Sequence, residues 1–461
     1  MKIYISALIF ILTLKIGAQE PLPKLMISEN KKYISTANGK PFFWLGDTAW
    51  ELFHRLTKEE VQIYLDDRKE KGFTVIQAVI LAELDGLKTP NANGDIPLIN
   101  QDPTSINEPY FKFIDYVLEE AQKREIYVAL LPTWGDKFNK AWGEGPEIFT
   151  PNNAQIFGKI LAKRYKNQSN IIWVLGGDRW PEDKEDKDIV NAMASGILAN
   201  DKNHLITYHP NGGKKARDYF DTSWLDFDFF QTGHDRLAKD YQFVAESLKM
   251  SPSKPVINGE PRYENHPDRF KPDMYGWMDA SDVRASAYWT FLSGGAGYTY
   301  GTHDIWQMFS PGKEPINYVR THWKESLHLP GCRQLSFLKQ ILESLPWYEL
   351  QPAQSLLSGD NPEDETHITV ANIAKKQLVV AYTPFGRPVT LKEDSLMEIF
   401  NNKTIYALWF NPRDGSIQEI GDFQANENIM KFEPWSIGRG SDFLLILCDK
   451  AKSEKILKTL K

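Results

Sequence analysis

Between residues 41 and 301 the chain switches repeatedly between two patterns of apolar positions. Segments with apolar side chains three and four apart, which puts them on one face of a helix, alternate with short runs that are apolar throughout. The first pattern predicts helices over 57–72, 108–124, 152–166, 186–200, near 238–249 and near 281–293. The 57–72 segment opens on Thr57, a capping residue, and has an acidic first turn. The second pattern predicts strands at PFFWLGD (41–47), FTVIQAVI (73–80), IYVALLPTW (126–134), NIIWVLGGD (170–178), HLITYHP (204–210), FDFFQTG (227–233), KPVINGEP (254–261) and AGYTYG (296–301). Uniformly apolar strands are covered on both faces, and their alternation with helices makes a parallel sheet. Eight units predict closure into a (β/α)8 TIM barrel. An open doubly wound sheet is the alternative, but no GxGxxG follows the first strand, against its dinucleotide-binding form.

The flanks carry other patterns. Lys2 precedes an apolar run, Ile3 to Leu14, and the small residues Gly17 and Ala18 follow. That is the layout of a secretory signal peptide, assigned to 1–18, and the run is too short to span a bilayer. The expected destination is the periplasm or the cell surface. LMISEN and KKYIST form a hairpin pattern, with Asn38-Gly39 as a tight-turn signal. A loop of about 30 residues with Pro90, Asn91, Asn93 and Gly94 follows the second barrel strand, a length that is often functional. After residue 350 short strands such as HITVANI, KQLVVAYTP, TIYALWFNP and DFLLILC are separated by turn residues, with no helix pattern before the charged tail. This predicts a small antiparallel β-sandwich over 351–461, after a barrel domain over 19–350.

Composition changes this picture little. Lys+Arg number 54 against 61 Asp+Glu, a net charge of −7, which gives no sign of nucleic-acid binding. Two cysteines, Cys332 and Cys448, make no disulfide framework; whether they pair stays open, and Cys448 in FLLILC reads as a free buried thiol. Fourteen Trp and nineteen Tyr are many for this length. Aromatic faces stack on the apolar C–H faces of sugars, although most such residues belong to cores.

Catalytic groups of such a barrel come from the C-terminal ends of its strands. Two carboxylates stand out there: Asp178, after IIWVLGG, and Glu260, ending PVINGE. Strands four and seven lie roughly across the barrel mouth. Two carboxyls there suit glycoside hydrolysis, which needs a protonated acid at the leaving oxygen and a carboxylate at the anomeric carbon. Their mutual repulsion would raise one pKa. The competing reading is structural ion pairs with Arg179 and Arg262. Asp47, Gln77, Trp134, His209, His234, Tyr263, Trp289 and Tyr300 are candidate substrate-binding residues, and Asp136 is a loop brace or a hydroxyl ligand. No HExxH, GxSxG or phosphate-loop motif occurs. His209, His234 and His303 come from separate strands without short paired spacing, so no metal and no cofactor is expected. The expected partner is an oligosaccharide or polysaccharide substrate, with no nucleic acid and no membrane span; the oligomeric state is left open.

GKPFFWLGDTAWELFHRLT, KGFTVIQAV, NIIWVLGGDRWP and PVINGEPRYE resemble the apiosidase-like family, glycoside hydrolase family 140. The resemblance covers nearly the whole chain after the signal and includes a C-terminal β-domain of the type labelled collagen-binding in related proteins. It implies a retaining, exo-acting clan-A barrel enzyme that cleaves apiosyl linkages in side chains of the pectin rhamnogalacturonan II. Carried over by motif, Asp178 of GGDRWP is the acid/base and Glu260 of NGEP the nucleophile. The wider clan usually ends strand four in Asn-Glu; here it is Gly-Asp, one methylene shorter. Another clan-A exo-glycosidase, of the β-galactosidase or arabinosidase type, is the alternative activity. A non-catalytic glycan- or collagen-binding protein is the alternative class, although the chain carries no protease signature.

Overall fold

A computed structural model describes residues 21–220, 223–401, 403–424 and 430–452. The signal segment lies outside the described residues. Eight parallel strands form the barrel: β1 (Trp44–Thr48), β2 (Val75–Leu81), β3 (Tyr127–Thr133), β4 (Ile171–Gly176), β5 (Ile206–His209), β6 (Asp228–Gln231), β7 (Val256–Glu260) and β8 (Gly297–Tyr300). Their sheet order runs β5-β4-β3-β2-β1-β8-β7-β6, and a two-residue strand at Lys214–Lys215 adds antiparallel to β6. Closure between β5 and β6 uses single bonds in place of a regular ladder. The Asp226 N–H donates to Ile206 O (2.9 Å), and the Thr207 hydroxyl donates to Phe227 O (2.8 Å).

Helices α1 (Lys58–Glu70), α2 (Glu108–Lys123), α3 (Pro151–Tyr165), α4 (Lys184–Asn200), α5 (Asp240–Lys249) and α6 (Ala280–Leu292) cross between the strands, and α7 (Pro330–Ser344) follows the barrel. Thr57 caps α1 as its sequence predicts: its hydroxyl accepts from the Glu60 N–H while the Glu60 carboxylate accepts from the Thr57 N–H. Among the described residues no helix is long and apolar enough to cross a membrane. The N-terminal segments pair as expected, Leu25–Ile27 with Ile34–Thr36. Asn38-Gly39 makes the next turn, with Gly39 at φ +81° and its N–H bonded to Thr36 O (2.8 Å).

Past the barrel come β9 (Gln351–Pro352), β10 (Thr369–Ile373), β11 (Leu378–Thr383), β12 (Val389–Leu391), β13 (Ile405–Phe410), β14 (Ile417–Phe423), β15 (Met430–Phe432) and β16 (Phe443–Asp449). They form a six-stranded antiparallel sheet, β9-β10-β11-β16-β13-β14, and a β12–β15 pair. One helix intrudes where none was expected, α8 (Glu393–Phe400). It buries Leu396, Ile399 and Phe400, an apolar face only two turns long that short strands on both sides obscure. Cys332 and Cys448 are both free and buried.

One hydrophobic core runs from α6 and α7 into this sheet, through Leu292, Leu338, Val380, Leu444 and Ile446. Helix α6 is buried along its whole length from Asp282 to Leu292, because the barrel covers one side and the sheet the other. Tyr288 stacks on Tyr382 with ring centres 4.5 Å apart, and the Trp289 indole donates to His367 O (2.9 Å). Arg284 forks onto Asp442 through two bonds, of 2.8 and 2.6 Å.

Candidate active site

At the C-terminal ends of the strands opens a cavity of about 990 Å³. Asp178 and Glu260 both line it, with an aromatic wall that includes Trp50, Trp134, Trp142, Trp180 and Trp306.

Glu260 is placed by an irregularity in β7. The register against β6 shifts between Asn258 and Glu260, which turns the end of the strand inward. The residue skipped is Gly259, and a Cβ there would stand 2.0 Å from the Phe229 ring. The Gly259 carbonyl accepts from Gln77 Nε2 at 2.8 Å. The Glu260 carboxyl then meets three groups. Tyr263 donates its hydroxyl to Oε1 (2.8 Å), His234 Nε2 stands 3.4 Å from Oε1, and His209 Nε2 stands 2.9 Å from Oε2. Burial alone would raise the pKa of this acid, but the bonds and charge of the two histidines reverse that and hold it at about 2. Glu260 is a carboxylate at neutral pH.

Asp178 is placed by an unusual chain path. Gly176 (φ +93°), Gly177 (φ +111°) and Asp178 (φ +52°) are consecutive left-handed residues. A Cβ on Gly176 would lie 2.5 Å from His209 O, so strand β5 forces glycine there. The Asp178 N–H donates to His209 Nδ1 at 3.1 Å. Nδ1 is thereby taken up by the backbone of Asp178, and Nε2 is the nitrogen that faces Glu260. Burial first, and the charge of Glu260 second, push the Asp178 carboxyl up to about 7, against the opposing pull of Arg179, His209 and His234. One acid of the pair therefore keeps its proton near neutrality while the other is ionised.

Neither neighbouring arginine neutralises its carboxylate. Arg262 pairs with Asp240 (3.1 Å) and donates to backbone carbonyls at Asp235 and Asp282. Arg179 reaches Asp178 Oδ2 only at 3.6 Å and spends its bonds on the carbonyls of Asp178, Asn139 and Lys140.

Residues 28–349 match the family described as "Apiosidase-like, catalytic domain". The chain belongs to the apiosidase-like family. Residues 351–448 of this apiosidase-like protein match a second family, "Putative collagen-binding domain of a collagenase". A solved structure of a glycoside hydrolase family 5 protein from Bacteroides vulgatus is 30% identical with a TM-score of 0.84, covering 93% of each chain. Another, titled "Glycoside hydrolase", is 31% identical with a TM-score of 0.84, covering 93% of this chain and 98% of its own. Among curated proteins nothing matches. With an apiosidase-like catalytic domain and these neighbours, the apiosidase-like protein is a glycosidase.

The candidates from the sequence divide into three groups. Trp134, His234 and Tyr263 line the cavity beside the two carboxyls. Gln77 and His209 are fully buried behind it, and touch Gly259 O and Glu260 instead of open space. Asp47, Trp289 and Tyr300 do not line the cavity. Successive strand side chains face opposite sides, and Asp47 and Tyr300 fall on the side toward the helices. Asp47 accepts from the Tyr64 hydroxyl (2.6 Å) and stands 3.3 Å from Arg68 of α1. Tyr300 donates to Glu264 (2.5 Å). Trp289 belongs to α6 and is locked under the C-terminal sheet, its ring 5.0 Å from the Arg262 guanidinium. Asp136 is also a brace, paired with Lys137 (2.7 Å). His303 donates from Nε2 to Asn317 O (2.7 Å).

The sequence did not single out Trp142, His266, Phe270 or Trp306, all of which line the cavity from loops. Only His266 carried a usable signal, six residues past the end of β7 and stacked 4.2 Å from His234. Glu83, in the long loop after β2, is a further carboxyl on the cavity wall, as are Glu144 and Asp235. Burial, together with the charges of Asp136, Asp178 and Glu51, pushes its pKa well above the usual carboxylate range.

Proposed function

We propose that this glycosidase is a retaining, exo-acting enzyme that cleaves apiosyl linkages in rhamnogalacturonan II side chains, with Asp178 as acid/base and Glu260 as nucleophile. The observation that carries this is the opposite protonation of two carboxyls on one cavity, Asp178 held up to about 7 and Glu260 down to about 2. In the first step Glu260 attacks the anomeric carbon as Asp178 gives its proton to the departing oxygen, leaving a glycosyl ester on Glu260. In the second, ionised Asp178 takes a proton from water, the water oxygen bonds the anomeric carbon, and Glu260 leaves as carboxylate. Tyr263 and His209 hold the Glu260 oxygens through both steps. The aromatic wall suits the C–H faces of sugar rings. The match to the apiosidase-like family supports apiose as the sugar. The basic, apolar start of the chain suits export to the periplasm or cell surface, which fractionation of producing cells would check.

The test is incubation with rhamnogalacturonan II oligosaccharides, wild type beside Glu260→Gln, with released sugars identified. Wild type should release apiose-linked side chains and the variant none. Turnover of other glycosides but not these would overturn the specificity. Near-normal turnover by Glu260→Gln would overturn the assignment of the nucleophile.

A further inference from the structure

A second cavity, of about 530 Å³, lies between the barrel and the C-terminal sheet. Its size falls within the range of small-ligand sites, about 300–1,000 Å³. Four arginines line it: Arg284 and Arg320 from the barrel domain, Arg413 and Arg439 from the β-domain. Two are already neutralised, Arg284 by Asp442 (2.6 Å) and Arg439 by Asp279 and Asp282 (2.6 Å each). Arg320 and Arg413 have no carboxylate within ion-pair distance among the described residues. Glu264 and Asp279 also line the cavity; Asp279 pairs with Arg439, and the Glu264 carboxyl, raised by burial to about 7, accepts from the Gly331 N–H, which leaves Arg320 and Arg413 as the lining cations without an ion-pair partner among the described residues.

Both are held in place. Arg320 donates from Nε to Asn265 Oδ1 (2.8 Å), and its guanidinium lies 3.7 Å from the centre of the Trp277 ring. Arg413 donates from Nε to Asn411 Oδ1 (2.6 Å) and from Nη1 to Gly440 O (3.2 Å), with its guanidinium 4.6 Å from the Phe443 ring centre. Arg320 also donates from Nη2 to Asn265 Oδ1, so Nη1 is its free end and Nη2 that of Arg413; a guanidinium held this way loses little freedom when the free end donates to a carboxylate. Trp277, half-buried on the same cavity, offers a sugar ring a flat apolar face beside Arg320.

We propose that this interdomain groove binds a carboxylated glycan, a segment of polyuronate, with Arg320 and Arg413 taking carboxylates and Trp277 taking a ring face. The site stands apart from the hydrolytic cavity and does not depend on which bond is cleaved there. The two are close in the chain, since Asn265 lines the groove and His266 the catalytic cavity.

Calorimetric titration of the full chain with hexagalacturonate and with its methyl ester tests this, using Glu260→Gln as background to prevent turnover. The acid form should bind, more weakly as salt rises, and the ester at least about tenfold more weakly, a difference of about 1.4 kcal/mol. Arg320→Gln and Arg413→Gln should each weaken the acid form about tenfold, and Trp277→Ala should weaken both forms. Thermal unfolding of each variant identifies any that fails to fold; Arg320, exposed at the surface, then decides alone. Absence of binding, equal affinity for acid and ester, or unchanged affinity in folded Arg320→Gln would each overturn the proposal. None of these outcomes bears on glycoside cleavage, so failure here and failure of the hydrolytic assignment are distinct.

Discussion

His209 is the joint between the two carboxyls proposed as catalytic, and replacing it should separate them. Its Nδ1 accepts the Asp178 N–H at 3.1 Å and its Nε2 stands 2.9 Å from Glu260 Oε2, off the line of its N–H. The ring is fully buried and does not line the cavity, so it touches no substrate. His209→Ala removes a misaligned polar contact to a charged group, worth about 0.5–1.5 kcal/mol, and leaves the Asp178 N–H without its partner at a further cost of about 1–3 kcal/mol. These effects share one residue and do not simply add. If only the contact to Glu260 acts on the transition state, kcat falls about twofold to twelvefold, with each factor of ten about 1.4 kcal/mol. KM should barely move. The direction in pH follows from Glu260, which is active as the carboxylate and held at about 2 partly by His209. Without the imidazole its pKa rises, and the acidic limb of the kcat profile moves to higher pH. His209→Gln keeps an acceptor and a donor on one side chain and should recover part of the loss. The assay is steady-state kinetics over pH 3–9 on the wild type and both variants. Unchanged kcat and an unmoved acidic limb in a folded His209→Ala protein would show that the imidazole is packing and nothing more.

In the wild type, kcat/KM should fall as pH rises through about 7, where Asp178 gives up the proton the first step needs, and Asp178→Asn should remove that limb with nearly all activity. Glu83→Gln should leave kcat within about threefold, because burial and its acidic neighbours favour the uncharged form of that carboxyl and the amide is nearly isosteric; a loss of about a hundredfold would make Glu83 a proton carrier. Asp442→Ala strands the buried Arg284 and should cost about 3–5 kcal/mol in chemical denaturation, whereas a change below about 1 kcal/mol would mean that solvent reaches the pair.

Most of the architecture could be read from the chain because burial on both faces leaves a strong mark. Strands such as VIQAVIL and IIWVLG are buried on every residue and apolar on all but Gln77, and several helices between them, α1 among them, carry clear caps. Which side of a strand faces the mouth left no such mark. Asp47 and Thr48 are adjacent and both buried, yet only parity decides that Thr48 bonds to Tyr300 O of the neighbouring strand β8 while Asp47 turns to α1. Asp178 and Glu260 were legible because glycines flank them, and glycine before a polar strand end signals a forced chain path. Trp306 and Phe270 were not, since long loops bring them over the mouth and no periodicity fixes where a loop returns. Helix α8 was hidden for a related reason, as two turns are too few to distinguish a helical face from a short strand.

The double burial of α6 has a practical consequence. A catalytic fragment ending near residue 350 would strip one wall from that helix, leaving the Tyr288 ring, the Trp289 indole and the Arg284 charge facing water at once. Such a fragment should aggregate, and swapping the β-domain for an unrelated binding module should fail in the same way. Engineering by shuffling would have to carry residues 280–292 along with the sheet that covers them.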